Sequence, residues 1–330
     1  MSFEIRQQAL LNEYKGNLFE YLVAVFLARK AKLESDFITD LSDNFRSMLS
    51  TQESFIREYF PELLVSLPEL AYNLSEEIYH FLNLKDQSLE KISIIGKAAL
   101  ASHDDRYAEA DILLKTNLKE IPISLKLSKA HAYVNTKSGG LKSFLSKYFK
   151  DDALQASFSN IAEKHINQLT FDLYALYDLE PDENFKTWVK AGLTELPGQL
   201  SEEARVIYKK FLFKLNTELY KTIHKLSLDH DSHKEFKHGM TSLLGFSDQS
   251  IIQATTYYKP KDDSYKLYRN IVESVDSVSK NIKSIKLGEL KENAANFDLY
   301  LEDRILQLRI KAMNKFTSKS YKVNCSVKIN

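Results

Sequence analysis

A chain of 330 residues with 44% apolar and 27% charged side chains has the composition of a folded globular protein, with core enough for one large domain or two modest ones. Its 45 bases and 45 acids cancel, and its single cysteine, Cys325, excludes an intrachain disulfide and a cysteine-based zinc site. The longest apolar run, Tyr21–Ala28, falls far short of the roughly 20 residues that a membrane-spanning helix needs, so no membrane partner is expected.

The first element is helical. Leu11, Tyr14, Leu18, Leu22, Val25 and Phe26 recur at helical spacing and predict one helix over Phe3–Leu33. Helices continue over 40–90, with breaks expected near Pro61 and Pro68. The texture then changes to short aliphatic runs bounded by turn-forming residues: "KISIIG" (Lys91–Gly96), "EADILLKT" (Glu109–Thr116) and "IPISLKLS" (Ile121–Ser128) read as strands. The short link holding Asn117 and Lys119 predicts an antiparallel hairpin between the last two. A helix is expected after Gly139-Gly140, over "LKSFLSKYF", and helical periodicity returns over 151–246. "SIIQATTYY" (Ser250–Tyr258) reads as a strand, followed by a helix around Tyr265–Ile285.

The end of the chain carries the clearest alternation. Leu306, Leu308, Ile310 and Ala312 alternate with Gln307, Arg309 and Lys311; Tyr321, Val323, Cys325, Val327 and Ile329 alternate with Lys322, Asn324, Ser326 and Lys328. Two strands with one apolar and one basic, amide-bearing face follow, joined as a hairpin. The order of elements predicts a mixed α/β (α+β) fold with a central mixed sheet, flanking helices and a helical insertion. Its segments are 1–150 (N-terminal helices and core strands), 151–246 (a helical subdomain, or decoration on the same core) and 247–330 (strands completing that core and a DNA-facing hairpin).

The zero net charge hides an asymmetry. Glu34–Glu90 holds twelve acids against three bases, Lys119–Lys150 seven lysines against Glu120 alone, and Arg304–Asn330 seven bases and no acid. Two basic segments that overlap strand-like patterns point to a surface facing a polyanion. An ordinary solvated face is the other account of each run. The histidines of "DHDSHKEFKHGM" (His230, His233, His238) are read as a solvated helix end rather than a metal site.

One constellation carries chemistry. The hairpin brings Asp111 and Lys126 towards the same end of the sheet, and period-two alternation places Ser124 and Lys126 on one face. A carboxylate there suits a hard cation such as Mg²⁺, while a lysine can orient or deprotonate a water beside a phosphodiester and offset its developing charge. A second acid is needed. Glu20 is the candidate, because Gly16, Asn17, Glu20, Val23, Ala24 and Leu27 share a helical face, and the small Gly16 and Ala24 are expected to let that face approach the sheet. A surface glutamate, or one paired to a structural lysine, is the alternative.

The order of a helix with Glu20, then Asp111, then Ser124-Leu125-Lys126 resembles the PD-(D/E)xK nuclease superfamily. The segments "GNLFEYLVA", "EADILL", "ISLKL", "AYVNTKSGGLKSFLSKYF", "IIQATTYY" and "LRIKAMNKF…SYKVNCSVKI" resemble its type II restriction endonucleases, the GGCC-cutting group among them. The resemblance implies a restriction-endonuclease-like core and Mg²⁺-dependent, sequence-specific hydrolysis of double-stranded DNA in a restriction-modification system. It assigns Glu20, Asp111, Ser124 and Lys126 to catalysis, and Glu20, Asp111 and the Leu125 carbonyl to the metal. Ala110 stands where the name-giving proline would be, and Ser124 where a second acid is expected.

For DNA contact, Lys129, His131, Asn135, Lys137, Ser138 and Lys142 follow the catalytic strand, and Gln307, Arg309 and Lys311 lie on the basic C-terminal face. Gln253 and Thr255 point one way along their strand and are further candidates. A homodimer would match a palindromic site, and a cytoplasmic location is expected because no secretory leader is visible. The rival readings are a non-catalytic nucleic-acid-binding protein and a structure-specific repair nuclease of the same superfamily.

Overall fold

A computed structural model describes residues 3–85, 88–95, 107, 109–228, 233–246, 251–261, 264–282 and 284–330. In chain order the elements begin with helices α1 (Phe3–Lys30), α2 (Glu34–Thr39), α3 (Asp43–Tyr59) and α4 (Glu62–Phe81), then strands β1 (Leu89–Ile94), β2 (Ile112–Thr116), β3 (Glu120–Lys129) and β4 (Val134–Gly140). They continue with α5 (Phe144–Phe149), α6 (Asp152–Leu176), α7 (Lys186–Lys190), α8 (Glu202–Leu228) and α9 (His233–Leu243). The last are β5 (Ile252–Lys261), β6 (Ser264–Glu273), α10 (Val275–Asn281), β7 (Lys286–Leu287), β8 (Asn296–Tyr300), β9 (Arg304–Ala312) and β10 (Tyr321–Ile329). The fold is mixed α/β, and the chain divides into two units, Met1–Ala132 with Phe246–Val278 and Tyr133–Gly245 with Ser279–Asn330.

The first unit is built on a five-stranded mixed sheet of order β1-β2-β3-β5-β6. Only β3 and β5 run parallel, and their register joins Ile123 to Ile252 and Lys129 to Tyr258. Its core takes Phe19, Val23, Ala24 and Leu27 of α1, Leu67, Leu70 and Leu74 of α4, and Ile112, Leu114, Ile123, Leu125 and Ala254 of the strands. Those helical positions recur every three or four residues and those strand positions every second one, so each element offers one apolar face to the same core. Helix α3 starts where the Ser42 hydroxyl accepts a bond from the Phe45 N–H at 3.3 Å. Pro61 does separate two helices, but Pro68 lies inside α4 and does not end it. Burial of Leu67, Leu70, Ala71 and Leu74 around it carries the helix across the missing N–H.

The helix expected around Tyr265–Ile285 is not found as such. Residues Ser264–Glu273 form β6, antiparallel to β5, and a short helix starts only at Val275. Ser274 caps it: the Ser277 N–H donates to the Ser274 hydroxyl at 3.3 Å, and the Ser274 N–H to the Ser277 hydroxyl at 2.9 Å. Pairing along the free edge of β5 outweighs a spacing of Tyr265, Tyr268, Val272 and Val275 that is compatible with a helix.

The second unit holds a five-stranded antiparallel sheet of order β4-β10-β9-β8-β7. The β9–β10 hairpin forms as its alternation predicts, with Leu306, Leu308, Ile310, Val323 and Cys325 buried. These strands, expected to complete the sheet that carries Asp111 and Lys126, instead form this second sheet, in which β10 pairs with β4. Within this unit α8 packs on β8 and β9, and the Phe211 ring lies 5.1 Å from that of Tyr321. A Cβ on Gly139 of β4 would lie 3.2 Å from the rings of Phe144 and Tyr148, so any side chain there would make those rings shift.

Candidate active site in the first unit

The β2–β3 hairpin closes at Thr116, whose N–H reaches the Lys119 carbonyl at 2.9 Å and whose hydroxyl accepts from the Leu118 and Lys119 N–H groups. From there the ladder runs Lys115–Glu120, Leu114–Ile121, Leu113–Pro122 and Ile112–Ile123. Beyond it the Asp111 N–H still donates to the Ile123 carbonyl at 2.9 Å, while its own carbonyl accepts from Ile95 at 3.0 Å on the other side. The next bond is not main-chain to main-chain. The Leu125 N–H donates to Asp111 Oδ2 at 2.7 Å, so the carboxylate takes the place a backbone carbonyl would hold. A buried N–H without a partner costs about 1–3 kcal/mol; here its need is met by a charged acceptor, which fixes the carboxylate at the strand end.

Ser124 and Lys126 complete that end. The Ser124 hydroxyl lies 3.4 Å from Asp111 Oδ2, at the limit of a hydrogen bond, and Lys126 Nζ lies 3.8 Å from the same oxygen. The Lys126 side chain is 37% exposed and that of Asp111 17%, so this is a loose, solvent-reached pair and not a buried bridge. Lys126 thus keeps its ammonium open to solvent.

Glu20 sits in α1 between the buried Phe19 and Val23 and is itself partly buried. Its carboxyl is pushed from an ordinary 4.5 up to about 8, first by burial, then by the negative charge of Asp111, with Lys126 acting in the opposite sense. The three predicted groups are therefore electrostatic neighbours. Asp111 lies close enough to Glu20 to raise its proton affinity, and as hard oxygen donors the two carboxyls are of the kind that would hold a divalent cation such as Mg²⁺. Among the described residues there is no group of three or more His, Cys, Asp or Glu side chains that could hold a metal.

The reason offered for Glu20's approach is corrected. A Cβ at Gly16 would meet nothing within 4 Å, so that glycine does not serve close packing, whereas Ala24 is fully buried. Gly16→Ala is accordingly expected to stabilise the protein by about 0.5–1 kcal/mol, the ordinary gain of alanine over glycine inside a helix; thermal melting checks it.

Two neighbours could not be assigned from the sequence. Parallel pairing sets Gln253 beside Ser124 and Thr255 beside Lys126, and Gln253 in turn faces Glu273 of β6. A polar row thus runs Ser124, Gln253, Glu273 across three strands. The polar positions of "IIQATTYY" were visible, but the strand they would join was not.

The predicted DNA-contact residues fall in both units. Lys129 ends β3 and His131 follows it in the first; both are exposed, and His131, at φ 61°, lies 5.1 Å from the Tyr268 ring. Asn135, Lys137 and Ser138 lie on β4, Lys142 just after it, and Gln307, Arg309 and Lys311 on β9, all in the second. Asn135 is engaged, its Oδ1 accepting from Asn324 at 2.7 Å and Ser326 at 2.8 Å. Of the three clustered histidines, His230 and the side chain of His233 lie outside the described residues, as does "HDDR" (103–106).

Ser124→Ala tests the weakest member. With its hydroxyl at 3.4 Å, the substitution is expected to cost less than about tenfold in any activity of the site, against about 10²–10⁴-fold for a proton-transfer group. Equal losses for Ser124→Ala and Asp111→Asn, measured as initial cleavage rates, would make Ser124 a full member.

No family model, no characterised sequence and no solved structure matches this chain.

Proposed function

We propose that the chain is a Mg²⁺-dependent endonuclease that hydrolyses phosphodiester bonds in double-stranded DNA, of the type II restriction kind, acting as a homodimer on a short palindromic site. What carries the reading is the Asp111 carboxylate, held on the Leu125 N–H at 2.7 Å, with Lys126 Nζ 3.8 Å away. Glu20, raised to about 8 by burial and by Asp111, supports it as the second acid.

The side chains divide the work. Lys126 Nζ orients the attacking water and offsets charge on the phosphoryl oxygens as the pentacovalent state forms. Asp111 lies beside Lys126 at 3.8 Å and, with Glu20, would hold Mg²⁺. When bound, the cation lowers the pKa of a coordinated water and offsets phosphate charge. Ser124 gives a further hydroxyl on the Lys126 face of β3. Lys129, His131, Asn135, Lys137, Ser138, Lys142, Gln307, Arg309 and Lys311 form the proposed DNA-contact set.

Supercoiled plasmid incubated with the protein is expected to give discrete linear fragments with Mg²⁺ and none with a chelator. Absence of strand breaks over the full range of Mg²⁺ would overturn the reading. A second reading has one observation in its favour: with no cluster of three ligating side chains among the described residues, Asp111 and Lys126 also suit a static pair in a non-catalytic nucleic-acid-binding protein. That protein would bind DNA and never cut it. A repair nuclease would cut branched or damaged DNA and spare the plain plasmid.

A further inference from the structure

Register assigns a single face of the second sheet to a set of polar side chains from four strands. Lys322 of β10 is directly opposite Lys311 of β9. The next row is Ser138, Asn324, Arg309 and Asn296, and the one after it Asn135, Ser326, Gln307 and Asp298. Intervening residues Val323, Cys325, Leu308, Ile310, Phe297 and Leu299 are buried, so the polar set occupies the outer face.

The cations and the amides of this face differ in what they already bind. Asn135 Oδ1 is taken by Asn324 and Ser326, and Gln307 Nε2 donates to Asp298 at 3.0 Å. Among the described residues, Arg309, Lys311 and Lys322 have no ion pair. Like charges directly opposite on paired strands destabilise a sheet, and burial first, then the charges of Lys322 and Arg309, lower the pKa of Lys311. The carboxylate of these rows, Asp298, is bonded to Gln307 and forms no ion pair with the three cations, so the face is poised for an external anion.

We propose that Arg309, Lys311 and Lys322 form a phosphate-binding surface that holds nucleic acid by its backbone without reading sequence. The breadth of the face supports backbone contact. Four strands at about 4.8 Å spacing span roughly 14 Å before side chains are added, wider than the roughly 12 Å major groove, which admits two strands. Asn135, Asn324 and Gln307 are engaged with neighbours on the face, which leaves the cations to the ligand. The rows named hold no apolar side chain of the kind that anchors a protein interface, which favours nucleic acid over an acidic protein. The inference rests on nucleic acid being the substrate, as proposed above, and not on the hydrolytic step.

Binding is measured by anisotropy on two labelled duplexes of unrelated sequence, in chelator, over a series of KCl concentrations. For the full chain, Arg309→Gln/Lys311→Gln/Lys322→Gln is expected to weaken binding to both duplexes equally, at least tenfold at moderate salt. The slope of log affinity against log salt should become shallower by about 2–3, since each phosphate contact contributes about 0.9. The single variants Arg309→Gln and Lys322→Gln, each expected to remove about 1, serve if the triple variant folds poorly. An unchanged slope overturns the proposal, a loss confined to one duplex makes the face a base reader and overturns it too, and so does retained binding lost only to an acidic protein competitor. Binding with the expected slope but no cleavage in Mg²⁺ leaves the surface standing and sinks the nuclease; cleavage with an unchanged slope does the reverse.

Discussion

Lys126→Ala is expected to lower Mg²⁺-dependent plasmid cleavage by about 10²–10⁴-fold while leaving duplex affinity within about twofold of the parent. The first figure is what a positioned proton-transfer or charge-stabilising group contributes to a rate. The second follows because Lys126 is one of many cations on the chain and its ammonium lies at the strand end beside Asp111, at 3.8 Å. Asp111→Asn should be as damaging to the rate. Asparagine retains an oxygen for the Leu125 N–H, so any loss of activity then reflects charge and not a collapsed strand end. Thermal melting of both variants keeps the two causes apart. Full cleavage by either variant would end the proposed mechanism.

Glu20→Gln is expected to make the metal-free protein more stable at pH 8, and to flatten its dependence of stability on pH. Between an ordinary 4.5 and about 8, the folded chain holds a proton on Glu20 that the unfolded chain has released. Stability is therefore complete below about 4.5 with respect to this group and falls as pH rises through that window, by a few kcal/mol in all. Glutamine has no charge to lose. A gain of about 2 kcal/mol would raise the melting temperature by roughly 4–8 °C for a unit of this size. Mg²⁺ should stabilise the parent at pH 8 by mass action and release a proton as it binds, and should do neither in Glu20→Gln. Melting with and without Mg²⁺, and calorimetry in two buffers of different ionisation enthalpy, read these effects. An identical pH slope in the two proteins would remove Glu20 from the site.

What could be read from the sequence followed the range of the interaction. The hairpin carrying Asp111 and Lys126 was legible because its two runs are short, aliphatic and separated by a link that admits only a turn. The alternation of β9 and β10 was legible for the same reason, down to which residues face outward. Their membership of a second sheet was not. It depends on β4, whose residues Val134–Gly140 carry Asn, Thr, Lys, Ser and two Gly and have little strand propensity of their own. Partnership of β3 with β5 was likewise hidden, since nothing local to Ser124 names Gln253. Helical phase singled out Glu20, which proves an electrostatic neighbour of Asp111 and Lys126, but the packing reason attached to Gly16 failed because an empty space beside a glycine leaves no mark in sequence.

The parallel pairing of Ser124 with Gln253 also fixes an order of events in the cell. When β3 leaves the ribosome its second edge has no neighbour, and the whole segment that supplies β4 to α9 must be translated before β5 appears. At about 5–20 residues per second that interval is on the order of ten seconds. Throughout it the nascent sheet presents an open hydrogen-bonding edge on an aliphatic strand, the geometry most prone to pairing with another chain. Slow translation of the intervening segment, or crowding of nascent chains on one message, should therefore lower the yield of folded protein.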